Sequence, residues 1–254
     1  MAAAEGHVSR KNGGIRESAK VIFPALILAL IVRTFLFQPF NIPSGSMEDT
    51  LLVGDYLIVS KYSYGYSRYS LPFGPHLFDG RLWASPPQRG DIAVFALPRD
   101  PSIDYIKRVI GLPGDRIQVR KGLVYINGQV VKRERVGDAV TTDPLGAETQ
   151  VRRYRQTLPN GVSYMTLATD PSGPEDNTPI YEVPAGEYFM MGDNRDDSLD
   201  SRVDAQAGGV GFVPIENFVG KAKIIFFSVD GGSAWEFWKW PWTVRWNRIL
   251  STPR

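Results

Sequence analysis

"IDYIKRVIGLPGDRIQV", Ile103 to Val119, reads as two strands joined by a turn. β-Branched and aromatic residues crowd both halves, and Gly111, Pro113, Gly114 and Asp115 between them favour a change of direction over a helix. In the first half a period of two puts Ile103, Tyr105, Lys107 and Val109 on one face, so an ammonium lies between apolar and aromatic neighbours. Similar short runs recur along the chain: "LLVGDYLIVSKYSYGY" from Leu51, "GDIAVFAL" from Gly90, "LVYINGQVV" from Leu123, "EYFMMGD" from Glu187 and "FVGKAKIIFFSV" from Phe218. Asn127-Gly128 carries the signature of a type I′ hairpin turn. Only the N-terminal apolar run keeps a helical character over any length. The expected fold is mainly β: one N-terminal transmembrane helix, then an all-β domain carrying a β-rich inserted region.

That apolar run, "VIFPALILALIVRTFLF" from Val21 to Phe37, follows Arg10, Lys11, Arg16 and Lys20 and holds Arg33 as its single charge. As a helix it reaches roughly 25 Å against a hydrocarbon core of about 30 Å, enough for one short span if Arg33 snorkels to the far interface. Pro24 would then stand in the first turn. A secretory leader resembles this, but no small-x-small cleavage site follows in "RTFLFQPFNIP". An uncleaved anchor is therefore expected, with the basic flank inside and everything after Phe37 outside the cytoplasm. At the other end, "WEFWKWPWTVRWNRI" holds Trp235, Trp238, Trp240, Trp242 and Trp246 between basic residues, a composition suited to headgroup depth or to covering one end of a β core. The division expected is a basic tail at 1–20, an anchor at 21–37, a β core at 38–131 and 179–230, a polar cap-like insertion at 132–178 and an interfacial tail at 231–254.

With 254 residues, 43% hydrophobic and 22% charged, the chain can bury a sizeable core. Lys and Arg exceed Asp and Glu by only two, and no basic stripe interleaved with aromatics crosses the middle of the chain, so nucleic acid is not an expected partner. The lack of cysteine excludes disulfides, thiolate metal sites and a Cys nucleophile. His7 and His76 are the only histidines, and neither has an acidic neighbour in sequence that would complete a serine triad.

"IPSGSM", Ile42 to Met47, places two serines around a glycine just beyond the anchor. A serine nucleophile there needs a base other than histidine, and Lys107 is the candidate: desolvation lowers a lysine pKa, leaving an amine able to take a proton near neutral pH. The third cluster, "GDNRDDSLDSR" from Gly192 to Arg202, is rich in oxygen donors. It does not fit a calcium loop: one begun at Asp193 meets Arg195 at a ligand position, and one begun at Asp196 ends on Ala207. No metal and no cofactor is expected.

Four motifs in order, "IPSGSMEDTLLVGD", "RGDIAVF", "YIKRVIGLPGD" and "GDNRDDSLDSR", behind a basic-flanked anchor, resemble the bacterial type I signal peptidases, or leader peptidases. The resemblance implies that Ser46 is the nucleophile and Lys107 the general base, with the Ser44 hydroxyl and Ser46 N–H as oxyanion hole. It also implies that Ser198 orients Lys107 and that Asp200 and Arg202 form a supporting ion pair. Phe40, Ile42, Met47, Leu51, Val94, Tyr105 and Ile106 stand at positions matching the walls of pockets for small residues at −1 and −3 of a preprotein. The implied partners are exported preproteins and membrane lipid, near the export translocon. The implied location is the bacterial inner membrane, single-pass, with the N-terminus cytoplasmic and the catalytic domain periplasmic. Where many members have a proline before the threonine, this chain has Glu48 and Asp49. Two other readings share some of these features: a self-cleaving repressor with a Ser-Lys pair, against which the anchor argues, and a non-catalytic anchored β scaffold.

Overall fold

The computed structural model describes residues 14–72, 74–75, 77–142, 147–169, 173–230 and 235–253. Residues 1–13 of the basic tail, with His7, Arg10 and Lys11, and also His76, lie outside the described residues. Helix α1 (Gly14–Ile31) starts seven positions before the first apolar residue of the run, Val21, and passes into a wide π turn over Val32–Leu36. Pro24 accordingly stands in the helix interior and not in its first turn, withholding one N–H from the ladder. Phe37, expected to end the span, opens strand β1 (Phe37–Asn41) and pairs with Ser60. The 20-residue span Glu17–Leu36 is long and apolar enough to cross a membrane, and only 6% of its apolar window is buried against the rest of the protein.

Beyond α1 the described residues fold mainly as β-sheet, with one short α-helix at Trp240–Thr243. β1, β2 (Asp55–Ser60), β3 (Ile92–Leu97), β4 (Asp100–Gly111), β12 (Glu187–Met191), β13 (Val213–Pro214) and β14 (Phe218–Ser228) form a seven-stranded antiparallel sheet in the order β1-β2-β14-β3-β4-β12-β13. β3 is buried along its whole length because both faces of the sheet are covered: Ile92 and Val94 join Met47, Leu51 and Leu57 on one side, while Ala93, Phe95 and Leu97 join Val109 and Phe218 on the other. That double burial is why "IAVFAL" is continuously apolar and does not alternate.

A second sheet, ordered β11-β5-β6-β7, comprises β5 (Arg116–Arg120), β6 (Leu123–Ile126), β7 (Gln129–Val130) and β11 (Tyr181–Glu182). Asn127 at φ +52° and Gly128 at φ +81° make the β6–β7 turn, as the type I′ geometry requires. The third sheet takes β8 (Lys132–Thr142), β9 (Glu148–Thr157) and β10 (Ser163–Ala168) from the segment expected to lie over the core as a polar insertion. Its outer hairpin alternates towards solvent, but Leu158 and Tyr164 enter one hydrophobic cluster with Ile117, Val124, Phe189 and Met191. A parallel bridge from Leu167 to Asn194 joins this sheet to the loop after β12. The segment is thus packed into the core at its base.

The C-terminal residues fold back on β14. Trp240 packs on Phe227 at 5.0 Å between ring centroids, Val244 bridges Val229, and Arg248 donates to the Asp55 carboxylate at 2.5 Å. Trp235, Trp238, Trp242 and Trp246 remain largely exposed.

Candidate active site

Ser46 lies in a single 3₁₀ turn, Gly45–Met47, between β1 and β2. Met47 and Leu51 are fully buried below it, and the Met47 carbonyl accepts the N–H groups of Thr50 at 3.0 Å and Leu51 at 2.8 Å. The loop is pinned at its far end by Asp55, whose carboxylate accepts from Leu52 N–H, Ser228 Oγ and Arg248. Gly54, at φ +89°, permits the close turn: a Cβ there would lie 2.0 Å from the Val229 carbonyl oxygen.

β4 supplies the partner. Successive side chains of a strand face opposite ways, so Lys107 and Arg108 separate. Lys107, 4% exposed, brings Nζ to 2.6 Å from Ser46 Oγ across 61 positions of sequence. Its Nζ is 5.4 Å from the Tyr105 ring centroid. Burial pulls its pKa down to about 8 and outweighs the nearby carboxylates of Asp200, Asp193 and Asp197, which favour the charged form. Arg108 on the other face forms a two-pronged ion pair with Asp193 at 2.9 and 2.7 Å. Thr50 Oγ1 donates to the same carboxylate at 2.5 Å, so one buried network ties the Ser46 loop, the Lys107 strand and the loop after β12 together.

That loop begins at Gly192, where a side chain cannot be housed: a Cβ would meet Ser198 Oγ at 2.2 Å and the Ser46 carbonyl oxygen at 2.5 Å. The Ser46 carbonyl accepts the Asn194 N–H at 3.2 Å. Asp200 and Arg202 form a fully buried pair, 2.9 Å at both prongs, and the Asp200 carboxylate also accepts Gly192 N–H at 3.0 Å. Burial alone would raise the Asp200 carboxyl, but Arg202 and these N–H donors hold it below the usual carboxylate range. Ser198 Oγ, expected to hydrogen-bond the Lys107 amine, is buried and makes no hydrogen bond. Ser44 Oγ stands 3.5 Å from Ser46 Oγ at the open edge of the loop.

Tyr105 and Ile106 line the cleft of about 480 Å³ that holds Ser46, Lys107 and Ser198. Ile42, Met47, Leu51 and Val94 are instead packed in the core cluster beneath it, each 3% exposed or less, with Phe40 partly buried against them. A larger hollow of about 590 Å³ reaches from Leu30 and Arg33 of the span to Lys61 and Asp104, and Asp104 borders both cavities. Three features escaped the sequence reading: the Arg108–Asp193–Thr50 network, the pairing of Asp49 with Arg153 of β9, and the approach of Glu48 to Asp197. The density of Asp and Arg in "GDNRDDSLDSR" signalled ion pairs, but not which partner each finds.

The chain is similar over most of its length to known proteins. A family model described as "Signal peptidase, peptidase S26" matches residues 15–227. Signal peptidase I of Rickettsia prowazekii is 46% identical over 211 residues, covering 80% of this chain and 76% of the relative. Signal peptidase I of Rickettsia typhi is 45% identical over 233 residues, covering 87% and 85%. A crystal structure of a signal peptidase I from Enterococcus faecalis is 26% identical and covers 54% of this chain and 97% of its own, with a TM-score of 0.32.

Proposed function

This chain belongs to the signal peptidase family, peptidase S26, and is a serine endopeptidase that removes signal peptides; from that premise we propose that Ser46 is its nucleophile and Lys107 its general base. The observation that carries this reading is the 2.6 Å approach of Nζ to Oγ at a lysine whose pKa burial lowers to about 8. A neutral Nζ takes the Ser46 proton as Oγ attacks the scissile carbonyl, and the resulting ammonium then protonates the leaving amine. The acyl-enzyme is released by water, with Lys107 again the base. Ser46 N–H and the Ser44 hydroxyl stabilise the oxyanion, and Ser44 must turn from its 3.5 Å contact with Ser46 Oγ to do so.

The apolar span is the membrane anchor, with the β domain on the extracytoplasmic face of a bacterial inner membrane. The preprotein, held by its own apolar segment, approaches from the Asp104 side, since the hollow there opens onto Leu30 and Arg33. It lies extended beside Tyr105 and Ile106, and small residues at −3 and −1 let its backbone reach the dyad over core residues that leave little depth. The exposed tryptophans near the C-terminus rest at headgroup level, while Trp240 and Val244 hold that segment to β14. Asp49, which stands where many relatives carry proline, ties the nucleophile loop to β9 through Arg153.

The test is cleavage of a preprotein with an Ala-x-Ala site by the full chain purified in detergent, beside Ser46→Ala and Lys107→Met. Cutting after the second Ala by the parent alone is expected. Turnover by folded Ser46→Ala would overturn the nucleophile assignment.

A further inference from the structure

The hollow of about 590 Å³ opens where the span meets the β domain, walled by Leu30 and Arg33 of the span, by Lys61 and by Pro101, Ser102 and Asp104 of β4. Asp104 belongs also to the wall of the catalytic cleft, which continues along β4 through Tyr105 and Ile106 to Lys107. One strand therefore runs through both cavities. On one edge β4 pairs with β3 from Asp100 to Arg108, but on the other β12 takes only Arg108, Val109 and Gly111. Among the described residues the edge from Pro101 to Lys107 carries no strand on that side, so an extended chain can be added there.

The hollow holds more positive than negative charge. Lys61 is 2% exposed, and its Nζ donates to the neutral Ser70 carbonyl. Burial draws its pKa down to about 8; Arg33 pulls in the same direction and Asp104 against it. Among the described residues Asp104 is the single carboxylate on the wall, set against two cations, and neither Lys61 nor Arg33 forms an ion pair. A buried ammonium without a counter-charge is costly, and the open volume beside this one leaves room for a negative group from outside the chain.

We propose that this hollow is the subsite for residues −4 to −6 of the signal peptide, where Lys61 and Arg33 favour an acidic side chain and disfavour Lys or Arg. The assignment rests on the signal-peptidase reading and specifies the leader side of its substrate. A preprotein lying parallel to β4 with its −1 residue beside Lys107 has −4 beside Asp104 and −6 beside Ser102, about 17 Å from the dyad at about 3.3 Å per residue. The helix of its apolar segment ends there. The last four carbonyls of a helix lack partners within it and carry partial negative charge, which the same two cations stabilise. A lipid phosphate would find these cations too, but it has no use for the open edge of β4 that leads from them to Ser46.

The experiment measures kcat/KM at pH 7, in neutral detergent, for one Ala-x-Ala preprotein carrying Glu, Gln or Lys at −4, −5 or −6. With attraction and repulsion acting in the same direction, Glu is expected to be cut about tenfold faster than Lys at one of these positions, with Gln between. Lys61→Met and Arg33→Gln should each narrow that ratio to about threefold. The arginine is exposed, so its replacement keeps the test decisive even if the buried methionine harms folding. Arg135→Gln, which removes an exposed cation paired with Asp138 on β8, should keep the parental ratio. Equal cutting of all charge variants by the parent would overturn the subsite and leave the peptidase reading standing, and so would a Glu preference untouched by both substitutions. A preference erased when phosphatidylglycerol is added to the micelles would also overturn it, giving the cations to lipid phosphate. If the parent fails to cut even the Gln substrates, the peptidase reading falls and the subsite with it.

Discussion

Replacing Lys107 with Met is predicted to abolish turnover and, in the same molecule, to stabilise the fold. Lys107 is 4% exposed, and its pKa falls from 10.5 in a free side chain to about 8. At 1.36 kcal/mol per unit, that depression corresponds to a destabilisation on the order of 3 kcal/mol whenever the amine is charged in both states. Below about pH 8 that is the case, and the full penalty is present. Between about pH 8 and 10.5 the folded protein has released the proton and the unfolded chain still holds it, so the unfolded state binds more protons and parental stability rises with pH. Above the unfolded value the penalty is gone. The gap between Lys107→Met and parent should therefore be widest near neutral pH and close as pH climbs through that window. Any packing change brought by the methionine adds an offset that pH does not alter. Urea unfolding of both proteins in the same micelles, followed by tryptophan fluorescence across the window, measures it. A gap that stays constant with pH, or grows as pH rises, would refute the claim that burial depresses this amine.

Other expectations follow from the same geometry. Because only the neutral amine is a base, kcat/KM should rise about tenfold per pH unit below about pH 8 and level above it; a profile flat across that range would contradict the assignment. Ser44→Ala should lower kcat about 10²- to 10³-fold with KM little changed, and an unchanged kcat would remove its hydroxyl from the oxyanion hole. Gly192→Ala forces a Cβ to within 2.5 Å of both Ser198 and the Ser46 carbonyl, and kcat should fall by about 10²-fold or more with circular dichroism unchanged. Parental turnover in that variant would show the loop to be slack. Asp200→Asn leaves Arg202 buried without its counter-charge and should cost about 3–5 kcal/mol in urea unfolding; a loss under about 1 kcal/mol would mean that water reaches the guanidinium.

Much of the β architecture was legible because strand signals are local. The β-branched and aromatic content of Ile103 to Val109, the Asn127-Gly128 turn and the unbroken apolar run of β3 each report their own local geometry, although burial along β4 grades from exposed at Ile103 to buried at Val109 and does not alternate. Ser46 and Lys107 were named from chemistry and resemblance, and the fold holds them 2.6 Å apart. What depends on distant packing was not legible. An apolar residue near a nucleophile reads alike whether it lines a pocket or fills the core, and only the fold of the loop between β1 and β2 onto the sheet buries Ile42, Met47 and Leu51 beside Val94 of β3. The polar look of residues 132–178 reflects the outer β8–β9 hairpin and conceals Leu158 and Tyr164 at its base. The helix extends back to Gly14 because polar residues prolong a helix as readily as apolar ones, whereas the sequence reading followed hydrophobicity alone. Ser198 lines the same cleft as Lys107 yet makes no hydrogen bond to it.

The most direct measurement of the Ser46–Lys107 claim is covalent labelling of the detergent-purified chain with a serine-directed penem, located by peptide mapping in the parent, Ser46→Ala and Lys107→Met. The account predicts a single acyl adduct on the peptide containing Ser46, absent from Ser46→Ala and formed far more slowly in Lys107→Met. Label on another serine, or equal labelling of Ser46 once the amine is gone, would contradict it.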